Sequence, residues 1–255
     1  MSDNRLQQRM MERESGMKMV VLTGAGISAE SGIPTFRDAN GLWEGHRPEE
    51  VATPEAFASR PELVHRFYNE RRRRLLEADV QPNAAHFALA GFERKHGGEF
   101  VLISQNVDDL HRRAGTQNLV AMHGEILKAR CTATNEVFDW TEDLELTTPH
   151  PNLTDQIGTL RPHIVWFGEM PMGMEVIEAA ASNADVFLAI GTSAVVYPAA
   201  AIVQWTPPAC YCVEINLEDT PQSERFNETI RDKASVAVPA FLERLARGGI
   251  PRGKS

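Results

Sequence analysis

The 255 residues of this chain include 26 basic and 35 acidic side chains, which gives a formal charge of −9, and 42% of the residues are hydrophobic. These values are typical of a globular protein with one large domain, or a large and a small one, around a sizeable core. The acidic balance disfavours nucleic acid as the main ligand, because phosphate binding needs a basic face, and it favours basic partners such as lysine-rich segments.

The cysteines and the N-terminus indicate the compartment. Three cysteines, Cys131, Cys210 and Cys212, do not suggest a disulfide framework. No apolar run approaches the roughly 18 residues of a membrane span. Residues 1–17 form a polar tail without the apolar centre of a signal peptide. We therefore expect a cytoplasmic protein with no membrane partner. A monomer is a separate expectation that these features do not test.

The first predicted element is a buried strand over 19–22, followed by a glycine-rich turn. Gly24, Gly26 and Ala29 fit the G-x-G-x-x-G/A spacing of dinucleotide-binding folds, in which free N–H groups at a helix start face phosphates. Glycines that serve packing alone give the same spacing. A second turn, ending at Pro34, stops the helix that would begin at Ser28.

Helices are predicted over 54–58 and 61–77, after a loop over 38–48 that contains Trp43. On the second helix Tyr68 and Arg71 are three residues apart, so they share a face. Arg71 also belongs to a run of four arginines, a pattern that more often marks a solvated surface. No second strand with an acidic end appears here, which argues against a nicotinamide-dependent dehydrogenase.

The rest of the chain alternates strands with helices, which predicts βαβ units and a parallel sheet. Helices are predicted over 84–96 (with Asn83 as its cap), 108–114, 174–183, 198–205 and 238–247, and strands or extended segments over 100–104, 118–122, 161–167, 186–190 and 211–215. Two short segments, 126–130 and 136–140, predict a hairpin, and 141–159 is polar and irregular. The fold class is therefore α/β.

Polar residues follow three of these strands, where ligands bind in open α/β sheets. They are 105–108, 191–193 and 216–218. Each could be an ordinary βα loop, with Asp108 capping the next helix. His123, one of eight histidines, lies in a loop and is a candidate general base. The alternative for His123 is a buried ring that satisfies a backbone group.

Five motifs in order resemble the signature of the sirtuin family of NAD-dependent protein deacylases: GAGISAESGIPTFR from Gly24, Gln105-Asn106-Val107-Asp108, His123-Gly124, Gly191-Thr192-Ser193 and Glu214-Ile215-Asn216. The resemblance spans about 19–245. It implies a Rossmann-like parallel sheet with helices on both faces (18–38, 84–125 and 161–250) and a small domain built from two insertions (39–83 and 126–160). NAD and an acylated lysine of a protein would bind in the cleft between them.

The resemblance also implies roles for residues. His123 would be the base that activates a ribose hydroxyl. Asn106 and Asp108 would form the nicotinamide pocket, where their side chains suit a carboxamide. The products would be nicotinamide, deacylated lysine and O-acyl-ADP-ribose. The implied NAD-binding residues are Gly24, Ala25, Gly26, Ser28, Glu30, Thr35, Phe36, Arg37, Trp43, Gln105, Asn106, Val107, Asp108, Gly191, Thr192, Ser193, Asn216, Leu217, Glu218 and Ala234.

For the substrate, Tyr68 and Arg71 match the sirtuin subgroup that accepts succinyl or malonyl groups. Arginine can bind a terminal carboxylate bidentately, and tyrosine can add a donor. Ala52 matches a small residue that leaves room for the acyl chain. Val165, Trp166, Phe167 and Gly168 resemble the strand that pairs with the substrate peptide, although an ordinary buried strand would look the same.

The chain departs from the family at the structural zinc site. Cys131 stands at the first ligand position, but Ala133 and Thr134 stand where its partner should be, and 142–160 contain no cysteine. Since zinc needs about four ligands, no metal is expected. Cys131 would be a buried thiol, with Phe138 and Trp140 packing the small domain. The alternatives to a deacylase are a mono-ADP-ribosyltransferase and a non-catalytic NAD-binding protein.

Overall fold

The computed structural model describes residues 16–35, 43 and 45–248. Its strands are β1 Gly16–Thr23, β2 Gly98–Ser104, β3 Leu119–Ala121, β4 Gly124–Cys131, β5 Val137–Asp139, β6 Leu160–Ile164, β7 Val186–Ile190, β8 Tyr211–Asn216 and β9 Glu228–Arg231. Six parallel strands form the main sheet in the order β3-β2-β1-β7-β8-β9, and three antiparallel strands form a small sheet in the order β5-β4-β6.

The helices agree with the predicted order. They are α1 Pro48–Val51, α2 Pro54–Ser59, α3 Pro61–Leu75, α4 Ala84–Lys95, α5 Leu110–Ala114, α6 Met174–Ala181 and α7 Ala234–Gly248. The predicted helix at 198–205 is a 3₁₀ helix, Ala199–Trp205. The helix start predicted at Ser28 is wrong, because two 3₁₀ turns occupy 25–31 and Gly32 then takes a left-handed conformation with φ of 82°. Sequence reasoning missed β9 and α1.

The main sheet is buried on both faces, which explains why its strands are continuous apolar runs rather than alternating ones. On one face Val21, Leu102 and Leu188 pack with α4 and α7. On the other, Val20 and Phe187 pack with α6 and the 3₁₀ helix. The parallel sheet with helices on both faces is therefore confirmed. Among the described residues, no helix is long and apolar enough to cross a membrane.

The small sheet packs against α1–α3, and its interior is apolar. Cys131 is a buried free thiol beside Leu144 and Leu160, with Phe138 and Trp140 packed against this cluster. Arg72, which is fully buried, links α3 to this region. It donates hydrogen bonds to the carbonyls of residues 126 (3.0 Å) and 142 (3.1 Å) and to the side chain of residue 69 (2.7 Å). The segment 160–164, placed largely in the main domain by sequence, is β6 of the small sheet.

Candidate active site

A cavity of about 680 Å³ lies at the carboxyl ends of β1, β2, β7 and β8. Its opposite wall comes from α3 and from the segment after β6. The cavity therefore lies between the two sheets, where ligands of open α/β sheets bind. Residues from every predicted motif within the described part of the chain line it.

The glycine-rich turn after β1 packs tightly on the loop after β7. The N–H groups of Gly24 and Gly26 donate to the carbonyls of Ile190 (2.9 Å) and Gly191 (2.8 Å). A Cβ on Gly26 would lie 2.7 Å from the Gly191 Cα, and one on Gly24 would lie 2.8 Å from the Gly191 carbonyl oxygen. These glycines are therefore required for close packing of the two loops. The N–H groups of Gly24 and Gly26 are therefore not themselves free for a phosphate, although both residues line the cavity.

Ser28, Asn106 and Asp108 form a hydrogen-bonded cluster on the cavity wall. Asn106 Nδ2 donates to the Gly24 carbonyl (3.1 Å) and to Ser28 Oγ (3.2 Å), so its Oδ1 is left to accept. Ser28 Oγ donates to Asp108 Oδ2 (2.9 Å), and the Leu110 N–H donates to Asp108 Oδ1 (3.1 Å). Asp108 thus accepts from the first N–H group of α5, although the N-cap position itself is Asp109, and it also lines the cavity. Burial raises the pKa of Asp108 to about 6 despite these two hydrogen bonds.

His123 has one ring nitrogen fixed by the backbone. Its Nδ1 lies 2.9 Å from the carbonyl oxygen of Gln105. Because a carbonyl only accepts, Nδ1 carries the hydrogen, and the neutral ring has its lone pair on Nε2. Burial lowers the pKa of His123, which favours that neutral form, although the bond to Gln105 opposes the shift. The structure thus prepares Nε2 to accept a proton.

The ends of β2, β7 and β8 are hydrogen-bonded to each other. Gln105 Nε2 donates to Thr192 Oγ1 (2.9 Å), and Asn216 Nδ2 donates to the Thr192 carbonyl (2.9 Å). The other predicted NAD-binding residues that line the cavity are Ala25, Thr35, Trp43, Val107, Ser193, Leu217, Glu218 and Ala234. Phe36 and Arg37 lie outside the described residues.

Glu30 is the predicted cofactor residue that the structure does not bring into the cavity lining. Its carboxylate accepts from the Ser235 N–H (3.1 Å) and Ser235 Oγ (2.9 Å), and it lies 3.8 Å from Lys233 Nζ. An acidic group at the first turn of α7 is favourable, because the N–H groups there are otherwise unpaired. This contact also explains why α7 begins four residues before the predicted start at 238.

The predicted substrate residues line the same cavity as His123. Tyr68 is fully buried and its hydroxyl oxygen accepts from Trp166 Nε1 (3.0 Å). The Arg71 guanidinium carbon lies 3.2 Å from the Phe67 ring centroid, and its Nη1 donates to the Phe67 carbonyl (2.6 Å). Both residues line the cavity together with the small side chain of Ala52. The shared face predicted for Tyr68 and Arg71 therefore borders the site.

The segment 165–168 lines the cavity, but it is not a strand. β6 ends at Ile164, and the next three N–H groups donate within the protein. Val165 donates to the His123 carbonyl (2.9 Å), Phe167 to the Ala52 carbonyl (2.9 Å) and Trp166 to Glu169 Oε2 (2.8 Å). Any peptide paired here must use other backbone groups, such as the carbonyl oxygens.

Sequence reasoning missed an apolar part of the cavity rim. Val195, Val196 and Tyr197 line the cavity, and Val195 and Tyr197 are largely exposed. Val195 and Val196 have no polar side-chain group, and Tyr197 stands in no recognised polar motif, so a search for polar motifs passes over all three. The available signal was their position directly after the motif at 191–193, on the loop that follows β7.

Comparison with known proteins agrees with this geometry. A family model described as "Sir2 family" matches residues 24–198. A protein of Rhodopirellula baltica named "NAD-dependent protein deacylase" is 61% identical over 237 residues, which cover 90% of this chain and 99% of that protein. A protein of the same name from Escherichia coli K12 is 50% identical, covering 96% of this chain and 90% of the relative. This chain belongs to the Sir2 family.

Solved Sir2 structures share the fold. A Sir2 homologue in complex with NAD is 39% identical with a TM-score of 0.78, covering 90% of this chain and 89% of that one. A Sir2 protein bound to a myristoylated histone peptide is 32% identical with a TM-score of 0.71, covering 90% and 91%. The expected Rossmann-like architecture is confirmed. The expectation that this Sir2 chain is an enzyme, rather than a non-catalytic protein, is also confirmed.

Proposed function

We propose that this protein is an NAD-dependent protein-lysine deacylase that removes acetyl groups and also acidic groups such as succinyl and malonyl. The proposal rests on one observation. One cavity is lined by His123, whose Nε2 can accept a proton, and by the hydrogen-bond acceptors of Asn106 and Asp108. The same cavity is lined by Arg71, whose positive charge would lie beside the acyl group. The names of the Sir2 relatives support the deacylase activity. The acidic-acyl preference, the cytoplasmic location and the monomeric state stay predictions.

The donors and acceptors on the cavity wall fit NAD. Asn106 Oδ1 and the Asp108 carboxylate are two acceptors, which suit the two N–H donors of a carboxamide. NAD, when bound, supplies an electrophilic ribose carbon. His123 Nε2 then takes the proton from a hydroxyl placed within hydrogen-bond distance, while Gln105 holds the ring through Nδ1. The loops that contain Thr192 and Asn216 would hold the rest of the cofactor.

The acyl pocket combines a cation, a hydroxyl and a small residue. Burial raises the pKa of Tyr68, so its phenol stays protonated and can donate. An arginine guanidinium has a planar pair of donors that matches a carboxylate, and Arg71 lies in the cavity lining. Ala52 leaves space beside them. An acyl chain that ends in a carboxylate would therefore gain contacts that an acetyl group lacks.

We also propose that the small domain folds without zinc. Cys131 lies in an apolar cluster, and among residues 16–35, 43 and 45–248 no group of three or more His, Cys, Asp or Glu side chains could hold a metal ion. The expected result is that overnight treatment with EDTA leaves the melting temperature and the deacylase activity unchanged. A loss of either on chelation, restored by zinc, would contradict the proposal.

The acyl preference is tested with matched acetyl-lysine and succinyl-lysine peptides, and the products are identified by mass spectrometry. Wild type should remove both groups and form O-acyl-ADP-ribose. Arg71→Met should lower the succinyl-to-acetyl ratio of kcat/KM at least tenfold. Arg73→Met is the matched control, because Arg73 is on the same helix but largely exposed and bonded to Asp143; it should keep the wild-type ratio.

Two outcomes would overturn parts of the proposal. Turnover of the acetyl peptide alone would refute the acidic-acyl preference and leave the deacylase assignment in place. If neither peptide is deacylated while NAD binding is detected by calorimetry, the deacylase assignment is wrong. ADP-ribose found on protein would then identify a mono-ADP-ribosyltransferase.

A further inference from the structure

A tryptophan behind the acyl pocket is held rigidly by an ion pair. Trp166 is 2% exposed, and the guanidinium carbon of Arg161 lies 3.3 Å from its ring centroid. Arg161 forms two hydrogen bonds to Glu169 (2.7 and 3.0 Å). Glu169 in turn accepts from the Trp166 backbone N–H (2.8 Å). The cation therefore covers the ring face and its partner carboxylate holds the backbone, so the indole has little freedom to rotate.

This fixed indole determines the direction of a hydrogen bond. Trp166 Nε1 can only donate, and it lies 3.0 Å from the Tyr68 hydroxyl oxygen. The Tyr68 oxygen must therefore accept in this contact, and its own hydrogen has to point elsewhere. The Tyr68 ring is fully buried, with Phe67 and Trp43 against it at 5.1 and 6.2 Å between ring centroids. Tyr68 is one of the residues that line the cavity, and from this we infer that its hydrogen points into the cavity.

We propose that Trp166 is a positioning residue for acyl-group selection. By donating to Tyr68, it turns the Tyr68 hydroxyl into a donor that points at the acyl chain. An acyl group that ends in an acceptor, such as a carboxylate, gains from this donor, whereas the methyl of an acetyl group does not. The inference rests on the proposed acyl pocket of Tyr68 and Arg71. It assigns Trp166 a different task from pairing with the peptide backbone.

The test is Trp166→Phe, which keeps an aromatic ring but removes the indole N–H. Kinetics with acetyl-lysine and succinyl-lysine peptides should show the succinyl-to-acetyl ratio of kcat/KM falling about tenfold, and the loss should lie in KM for the succinyl peptide. Trp140→Phe, a change of the same kind at a residue packed against the small sheet, should keep the wild-type ratio. Tyr68→Phe should lower the ratio by a similar factor, and the double variant should lower it no further, because both changes remove one interaction.

If the succinyl-to-acetyl ratio of kcat/KM is unchanged in Trp166→Phe, the proposal is wrong. This includes the result that both activities fall by the same factor, because a purely structural role of Trp166 would have that effect. If the wild-type protein does not deacylate the succinyl peptide, the proposed acyl pocket itself is wrong. This measurement is made before any variant is tested, so the two failures can be told apart.

A second measurement does not depend on the folding of Trp166→Phe. The four tryptophans of the ¹⁵N-labelled protein give four indole N–H signals in an NMR spectrum. The Trp166 signal is assigned as the one whose chemical shift changes most in Tyr68→Phe. In wild type with NAD, the succinyl peptide should move this signal and the acetyl peptide should not. Equal displacement by both peptides overturns the proposal.

Discussion

Replacing Asp108 by asparagine should stabilise the protein while impairing its activity. Burial raises the pKa of Asp108 from an ordinary 3.8 to about 6. One pKa unit corresponds to about 1.4 kcal/mol, so ionised Asp108 costs the folded state about 3 kcal/mol at neutral pH. Asparagine has no charge to desolvate, and its oxygen can still accept from the Leu110 N–H. Its amide nitrogen cannot accept from Ser28 Oγ as the carboxylate does, but it can donate to that oxygen instead.

The sign of the pH dependence follows from proton binding. Between about pH 4 and pH 6 the folded protein holds the Asp108 proton more tightly than the unfolded chain does, so the contribution of this group to stability falls as the pH rises through that window. Above about pH 6 the Asp108 carboxyl is ionised in both the folded and the unfolded state, and the loss of stability reaches its full value. The advantage of Asp108→Asn over wild type should therefore grow from about 1.5 kcal/mol at pH 5 to about 3 kcal/mol at pH 8.

Urea unfolding of the ligand-free protein from pH 5 to pH 8 measures this difference. Asp155→Asn, at an exposed position, is the control and should change the free energy of unfolding by less than about 0.5 kcal/mol. Wild type that is more stable than Asp108→Asn at pH 8, or a difference that is constant across the range, would refute the reasoning. The same variant should deacylate peptides more slowly, because a carboxylate acceptor for the carboxamide is lost.

Gly26→Ala should destabilise the protein by about 2 kcal/mol, because the new Cβ would lie 2.7 Å from backbone atoms. Gly97→Ala should be tolerated, because no atom lies within 4 Å of its Cβ position. Thermal unfolding of the two variants measures the difference. Arg72→Met should cost about 3 kcal/mol in urea unfolding, since it leaves buried carbonyls without their donor; equal effects of Arg72→Met and the exposed Arg73→Met would contradict this. His123→Asn should lower kcat/KM by about 10²–10⁴-fold with either peptide, and His163→Asn, outside the cavity lining, should not.

The sequence predicted the main sheet because its strands are short apolar runs bounded by turn residues. The runs at 100–104 and 186–190 are buried on both faces, so neither can be mistaken for a solvated edge. Polar residues directly after such strands must converge, since the carboxyl ends of parallel strands share one edge of the sheet. The cavity lining at 105–108, 191–193 and 216–218 was therefore predictable.

The boundaries that the sequence misplaced depend on contacts with distant segments. α7 begins at Ala234 rather than 238 because Ser235 meets Glu30, which lies 205 positions earlier. β9 has few apolar residues, and it pairs with β8 through backbone bonds that leave no side-chain pattern.

The sequence by itself determined the fold class, the family and most of the residues that border the cavity, because these follow from local apolar patterns and from short motifs of adjacent residues. Only the tertiary structure decided how those residues are used. It placed Glu30 outside the cavity lining, gave Gly24 and Gly26 a packing role, fixed the tautomer of His123 through Gln105, and set Trp166 against Tyr68, 98 positions away. The direction of a hydrogen bond depends on which donor and acceptor the folded chain brings within 3 Å, and residue order does not encode that distance.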